Sequence, residues 1–354
     1  MDTVMDYFEV PRLANTVPTQ RAAYSDRTAW MLAEMSRLAY EQHATEPTVE
    51  AFAGRVKAAV ESGADDEAVA ALLKQAMAHR ASGQQVVDKA LQSVGYRLLR
   101  EFSVDGTDGF IAIAKGEAST APAIVVAFRG TEACAKDIGA DMKARLVEAQ
   151  GGGRVHEGFE EAYSKVSGLI QRELAAYPDS PVYICGHSLG GAMALLATRY
   201  LGSTKVAATY TYGCPRVADD TFFEPVRSPV YRIVNAADIV TRLPFGPGVA
   251  VPLAVLRYVP VNGTKALSEW IRRRFLGYTH YGNLAFLSAP ANEVGQDGIG
   301  FKDLVLKMSP NIFWRVHVVL PRLFWTRGRA AATDHSIMTY CRKLEAYAMR
   351  RNPN

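Results

Sequence analysis

The sequence predicts an α/β fold with a mostly parallel central sheet flanked by helices. Three observations carry this. The run Ala123-Ile124-Val125-Val126-Ala127-Phe128 is continuously apolar, as a strand buried on both faces must be. Runs of this kind alternate with helix-length amphipathic segments. The stretch Pro181-Val182-Tyr183-Ile184-Cys185-Gly186-His187-Ser188-Leu189-Gly190-Gly191-Ala192 passes from an apolar strand, through Gly-x-Ser-x-Gly, into a small-residue helix.

That last stretch organises the chain. A strand–turn–helix around Gly-x-Ser-x-Gly is a nucleophile elbow, in which the serine backbone is strained and its neighbours must lack bulk. Gly186 and Gly190 supply this, and Gly191 and Ala192 let the helix pack close under the strand. The helix start sets partial positive charge beside Ser188, where an oxyanion would develop. A bare Gly-x-Ser-x-Gly is common by chance; the apolar strand before it and the helix after it give it meaning here. Cys185 reads as core.

Composition narrows the class. The chain has 354 residues, 49% hydrophobic and 21% charged, enough for one large α/β domain with insertions or for two domains. Met1-Asp2-Thr3-Val4-Met5-Asp6 is acidic and lacks the apolar run of a Sec signal. The expected location is therefore the cytoplasm or a peripheral membrane position, with signal-independent export also open. No apolar run reaches the roughly 20 residues of a membrane-spanning helix. Cys134, Cys185, Cys214 and Cys341 have no zinc or disulfide spacing, so no metal site is expected. Residues 265–354 carry 14 Lys/Arg and 6 Asp/Glu, a net +8 within a whole-chain +4, which suits anionic lipid or simply solvated helices. No aromatic-interleaved basic motif points to nucleic acid.

Residues 1–94 read as an arm followed by helices. Tyr24-Ser25-Asp26 caps a helix to about residue 42 with Trp30, Leu32, Met35, Leu38 and Ala39 inward. Two Ala-rich helices are expected at 49–60 and 65–80, with Ser62-Gly63 as the break and Asp65-Asp66 opening the second. This region reads as packing, a partner surface or a lid. Residues 95–354 form the second unit. Strands at 96–104 and 109–115 flank the turn Asp105-Gly106-Thr107-Asp108. The strand at 123–131 ends in Arg129-Gly130-Thr131. Residues 132–152 are a candidate cover ending on a Gly151-Gly152-Gly153 hinge. His156-Glu157 is not H-E-x-x-H, because Glu160 stands where the second histidine is needed.

Strands at 206–213 and 229–235 follow, with Asp238 just past the second, where open α/β sheets gather functional groups. A cap-like insertion spans about 245–333, with a strand at 254–261 and then a helix through Trp270. Residues 300–327 mix aromatics and aliphatics with Lys302, Lys307, Arg315, Arg322 and Arg327. Cap or core is the favoured reading there, peripheral membrane contact the other. Pro310 and Pro321 argue against one continuous helix. Asp334, a cap candidate, and His335 open a last amphipathic helix.

A nucleophilic serine needs a histidine base and an acid to orient it. Ser188, Asp238 and His335 follow the order Ser…Asp…His. His280 and His317 also lie downstream. His317 sits in an apolar run and reads as core or interface, so His335 is preferred and His280 is the alternative.

Five ordered motifs settle a resemblance. They are Val126-Ala127-Phe128-Arg129-Gly130-Thr131, Val155-His156-Glu157-Gly158-Phe159, Gly186-His187-Ser188-Leu189-Gly190-Gly191-Ala192, Tyr212-Gly213-Cys214-Pro215-Arg216-Val217 and Asn235-Ala236-Ala237-Asp238-Ile239-Val240-Thr241-Arg242-Leu243-Pro244. In this order they resemble the class 3 lipases, the fungal triacylglycerol lipase-like family. The likeness is close over about 95–245 and resumes at 277–283 and 334–345. It implies an α/β-hydrolase-like fold, Ser188 as nucleophile, Asp238 as triad acid, and an oxyanion hole from Thr131 and the Leu189 N–H. The segment after Thr131 would be a lid. Gly277-Tyr278-Thr279-His280 resembles a family stretch that does not hold the catalytic histidine, which supports His335. The N-terminal helices, the 97-residue step from Asp238 to His335, and Asp137-Ile138 where many members carry an aromatic all depart from the small secreted members.

The expected function is hydrolysis of carboxylic esters of lipids, triacylglycerol or phospholipid, through an acyl-Ser188 intermediate and without cofactor. A phospholipase acting on membranes and an acyltransferase use the same scaffold, and a non-catalytic interaction module is the reading from another class. Oligomeric state is not legible.

Overall fold

The computed structural model describes residues 7–13, 23–41, 56–115, 122–130, 145–244, 277–288, 301 and 303–352. The expected strand at 254–261, the helix through Trp270, Thr131 and most of the candidate cover lie outside these residues.

Helix α1, Asp26–Leu38, begins where Ser25 accepts a hydrogen bond from the Thr28 N–H at 3.4 Å. Trp30, Met31, Leu32, Met35 and Leu38 are buried, so this N-terminal helix belongs to the core of the sheet rather than to its surroundings. Helix α2, Asp66–Ser93, is capped by Asp65. It was expected to stop near residue 80 but continues through Gly83. The cost of a helical glycine, about 1 kcal/mol, is outweighed by Val87 and Leu91, which enter the core one turn apart.

The central sheet contains β1 (Tyr96–Val104), β2 (Thr107–Ala114), β3 (Ile124–Phe128), β6 (Val182–His187), β7 (Val206–Tyr212), β8 (Val230–Asn235), β9 (Asn283–Leu287) and β10 (Leu306–Met308), in that spatial order. A second sheet pairs β4 (Leu146–Glu148) with β5 (Arg154–His156). The pairings β3–β6, β6–β7, β7–β8 and β8–β9 are parallel; β1–β2, β2–β3 and β9–β10 are antiparallel. This is the expected mostly parallel α/β sheet. The β1–β2 turn has Asp105 and Gly106 at φ 46° and 79°, so both central residues are left-handed, as a two-residue hairpin turn demands. Gly151, Gly152 and Gly153 also have positive φ, but they close the β4–β5 hairpin rather than acting as a hinge. A side chain at Gly153 would strike the Phe222 backbone nitrogen.

Helices α3 (Glu157–Ala175) and α4 (Leu189–Leu201) cover one face of the sheet. On this side lies the short α5 (Asp220–Phe223). Helix α1 and the terminal α8 (Ile337–Arg351) cover the other face. A smaller core forms where α6 (Ile312–Trp325) packs Val318, Val319 and Leu323 on Val234, Leu284 and Phe286. The short α7 (Ala330–Thr333) joins α6 to α8. The span 303–327 is not one continuous helix, as expected, since β10 precedes α6, but α6 does run through Pro321. Both Pro321 and His317, whose carbonyl loses its helical donor, are exposed, so water replaces the missing bond. Pro310 lies outside, before the Asn311 cap.

His156 ends β5 and caps α3, its Nδ1 accepting from the Phe159 N–H at 3.3 Å while the ring stacks on Phe159. Burial pushes this imidazole down to about 4. In the unfolded chain it titrates near 6.5. Between those values the unfolded state holds the extra proton, so the contribution is full above about pH 6.5 and is lost as pH falls towards 4. The gap corresponds to about 3 kcal/mol. Urea unfolding should show stability falling between about pH 7 and pH 4.5. His156→Asn keeps a cap acceptor without the titration, so its profile should be shallower; an equally steep profile would assign the loss to other groups.

Candidate active site

Parallel strands β6, β7 and β8 end side by side, and a loop leaves each at the same edge. Ser188 follows β6, Gly213 follows β7 and Asp238 lies just past β8. Ser188 has φ 57° and ψ −124°, and its N–H donates to the Tyr212 carbonyl at 2.9 Å. The flanking glycines are obligatory. A Cβ on Gly186 would come within 2.1 Å of the Gly190 oxygen, and one on Gly190 within 2.4 Å of the Phe128 oxygen. Gly191 has only 2.8 Å to the Cys214 Cβ. The Leu189 N–H opens α4, where a helix has no internal acceptor for it.

The structure brings Ser188, His335 and Asp238 into one hydrogen-bonded chain. His335 Nε2 is 2.9 Å from Ser188 Oγ, and its Nδ1 is 3.0 Å from both carboxylate oxygens of Asp238. A carboxylate can only accept, so Nδ1 carries the proton and Nε2 is left bare towards the serine hydroxyl. Ser188 and Asp238 are fully buried. Asp238 also accepts from the Tyr340 hydroxyl at 2.7 Å and from the Val240 N–H at 2.9 Å. Burial and the neighbouring Asp238 raise the Tyr340 phenol well above its ordinary value, so it remains a donor. Gly213 makes room for this pair: a Cβ there would lie 2.8 Å from Asp238 Oδ2 and 3.0 Å from His335 Nδ1.

Further groups fix the loop that carries His335. His187 Nε2 donates to the His335 carbonyl at 2.6 Å, which leaves Nδ1 to accept from Tyr40 at 2.8 Å. Burial, then the adjacent His335, hold His187 well below the usual imidazole range and hence neutral. Asp334 is fully buried between the Arg322 guanidinium, 2.7 Å away, and the Ala237 N–H at 3.0 Å. Asn235 donates to the Asp334 carbonyl at 2.9 Å and accepts from the buried Lys343 ammonium at 2.6 Å.

Asp334 is therefore not the cap of the last helix, whose N-cap position is Ser336; its carboxylate turns inward to meet a cation from α6. His280, the alternative base, is not brought to Ser188. It lies against the Thr241 backbone among Arg216, Arg232 and Arg315, where burial and those charges keep it well below its ordinary value. His317 is exposed on α6 rather than in core or interface. Thr131 lies outside the described residues. Sequence reasoning missed Tyr340, Tyr40, Asn235 and Gly213. Tyr340 reads as one more inward residue of an amphipathic helix, and Gly213 alone carried a signal, a glycine directly after a strand.

Residues 125–247 match the family model described as Lipase (class 3). The chain is 38% identical over 101 residues to Toxin TseL of Vibrio cholerae, covering 27% of this chain and 16% of that protein. It is 40% identical over 106 residues to a lipase of Rhizopus niveus, covering 26% and 27%. With a lipase of Rhizomucor miehei it shares 34% identity over 167 residues, covering 42% and 44%. The chain thus spans less than half the length of each of these relatives. Among solved structures, a lipase from Rhizopus microsporus var. chinensis aligns with a TM-score of 0.40 at 28% identity, covering 57% of this chain and 64% of that one.

The Arg322–Asp334 pair is buried on the carboxylate side, so its loss is costly. Asp334→Ala removes the carboxylate from Arg322 and from the Ala237 N–H at once. Chemical denaturation should show a loss of about 3–5 kcal/mol; a loss below about 1 kcal/mol, the range of an exposed pair, would contradict the burial.

Proposed function

Because the chain belongs to the class 3 lipase family through residues 125–247, we propose that it is a serine hydrolase cleaving carboxylic esters of lipids through an acyl-Ser188 intermediate. The observation that carries this reading is the Ser188–His335–Asp238 chain, with contacts of 2.9 and 3.0 Å, seated on a left-handed serine. His335 Nε2 takes the hydroxyl proton as Ser188 Oγ attacks the ester carbonyl. Asp238 holds Nδ1–H and stabilises the imidazolium. The Leu189 N–H and, by its motif, Thr131 are the proposed oxyanion donors, each supplying roughly 3 kcal/mol to the transition state. The protonated Nε2 then hands its proton to the leaving alcohol, and water repeats the steps on the acyl-enzyme. Tyr340 and Gly213 act by keeping the carboxylate and imidazole in register.

Lipid is the proposed substrate class, and α6 is the surface proposed to meet it. Its outer stripe exposes Phe313 by 82%, Leu320 by 60% and Phe324 by 75%, with Trp325 at 80% beside it. The opposite stripe is packed on the small core, so this helix is apolar on both sides. Lys307, Arg327 and Arg329 are exposed around it and complement anionic headgroups. Among the described residues, no helix is long and apolar enough to cross a membrane. Contact at the interface plane is therefore the reading that fits α6.

Two measurements test this function. Hydrolysis of p-nitrophenyl esters from acetyl to palmitoyl should fall about a thousandfold or more in Ser188→Ala and His335→Ala. His280→Ala should retain turnover. Failure of a fluorophosphonate to label Ser188, with no ester cleaved, would sink the hydrolase reading. Separately, Phe313→Asp with Phe324→Asp should weaken sedimentation with anionic vesicles about tenfold or more while p-nitrophenyl butyrate is still cleaved. Equal vesicle binding would remove α6 from the lipid surface.

A further inference from the structure

Strand β8 alternates its side chains between two faces. Tyr231 and Ile233 enter the core under α1 and α8. Val230 enters the core under α3 and α4, and Val234 enters the small core under α6. Arg232 lies between Val230 and Val234 on the same face, at the seam of those two cores. It is only 8% exposed, and its Nε has no hydrogen-bond partner. A guanidinium placed in such a seam demands an anion.

The groups around it are also cations. Arg216 comes from the loop after β7, Arg242 from the turn after Asp238, and Arg315 from the inward stripe of α6 that also carries Val319 and Arg322. Arg216 Nη1 donates to two carbonyls, those of Arg242 at 2.5 Å and Pro244 at 2.7 Å, which holds this side chain against the Arg242–Pro244 backbone. Arg315 also has a buried Nε without a partner. Among the described residues none of the four makes an ion pair, whereas Arg322, seven residues along α6 from Arg315, has Asp334. Burial pushes Arg216 and Arg232 down to about 10, with their neighbours' positive charge adding to the effect. Arg242 is lowered by burial and by Arg315, and Asp238 acts against this. Both Asp238 oxygens are already committed to His335, with Tyr340 and Val240 as further donors, so that carboxylate does not neutralise the cluster. His280 faces the same groups and is kept neutral by its burial and by them. Exposure grades the set, with Arg232 at the floor, Arg216 and Arg315 half-buried above it, and Arg242 at the rim.

We propose that Arg216, Arg232, Arg242 and Arg315 form a phosphate-binding site next to Asp238, under helix α6. Four forks of donors exceed what one carboxylate can accept and match the several oxygens of a phosphate group. The site lies between the proposed catalytic centre and the helix proposed to touch lipid. Its substrate role, recognition of the headgroup phosphate of an acyl ester, rests on the hydrolase reading; the binding of phosphate does not. Free phosphate has the same chemistry and is the other source of the ligand.

The test uses the full chain. Isothermal titration with inorganic phosphate at low salt should give a single site of roughly millimolar affinity or tighter in the wild type. Arg232→Met and Arg315→Gln should each weaken it about tenfold or more, and the exposed Arg172→Gln should not. Arg315→Gln, on the half-buried wall, keeps the test decisive if Arg232→Met does not fold. In parallel, the ratio of phosphatidylglycerol to diacylglycerol hydrolysis in mixed micelles should drop about tenfold in Arg315→Gln. A drop assigns the site to a lipid headgroup. Phosphate binding lost in the variants with an unchanged ratio supports the site and assigns it to free phosphate. No phosphate binding in the wild type, or equal binding in all variants, overturns the proposal. Phosphate binding without ester cleavage would refute the hydrolase reading alone.

Discussion

A serine held at φ 57° sits in a region that non-glycine residues avoid at a cost of about 1–3 kcal/mol, and the structure around Ser188 is arranged to hold it there. The Ser188 N–H is bound to β7, which continues the sheet one residue past β6. Helix α4 starts at once, and can do so only because Gly186, Gly190 and Gly191 let backbone touch backbone. The strain is local and its support is the parallel sheet itself. Sheet register then does a second job: it delivers Gly213 and Asp238 to the same edge as Ser188, and the braced loop between α7 and α8 brings His335 in between them.

The buried polar groups behind that edge behave as one network. Tyr340 joins the Asn235 N–H to Asp238; Asn235 joins Asp334 to Lys343; His187 joins Tyr40 to the His335 carbonyl. Each member satisfies a donor or acceptor that would otherwise be stranded away from water. The members come from β6, β8, α8, the turn just past α1 and the loops after β8 and before α8. This explains why an N-terminal helix outside the five motifs is buried from Thr28 to Leu38: α1 supplies core to the sheet, and Tyr40, just beyond its end, braces the histidine before the serine.

Much of this was legible in the sequence, for stated reasons. The strands at the centre of the sheet are short apolar runs with sharp ends, and the elbow combines strand, glycines and helix in eleven residues, so both are local signals. Ser188, Asp238 and His335 were found by chain order and by resemblance. The supporting groups were not, because their meaning is pairwise. Asp334 looks like a helix cap until Arg322 is placed against it, and Tyr340 looks like core until its hydroxyl is seen to reach Asp238. The end of α2 and the passage of α6 through Pro321 were not legible, because the Ala-rich pattern reads as a helix only as far as Arg80 and a proline is locally a breaker. Burial of Val87 and Leu91 decided the first, and solvent at Pro321 decided the second.

Helix α6 then connects what the sequence kept apart. Its inward stripe places two arginines one above the other with opposite fates. Arg322 is neutralised by Asp334, the residue directly before His335, and so fastens α6 to the loop of the proposed base. Arg315 has no such partner and adds to the charge around Arg232. Its outward stripe is exposed aromatic and aliphatic surface. A single rigid element thus carries a proposed lipid-facing surface, a proposed anion-facing wall and a structural tie to His335. On the proposed function, a lipid surface held by Phe313 and Phe324 and a phosphate held by Arg315 would both bear on the position of the same helix. The Arg322–Asp334 pair is a direct contact by which that position reaches the residue before His335.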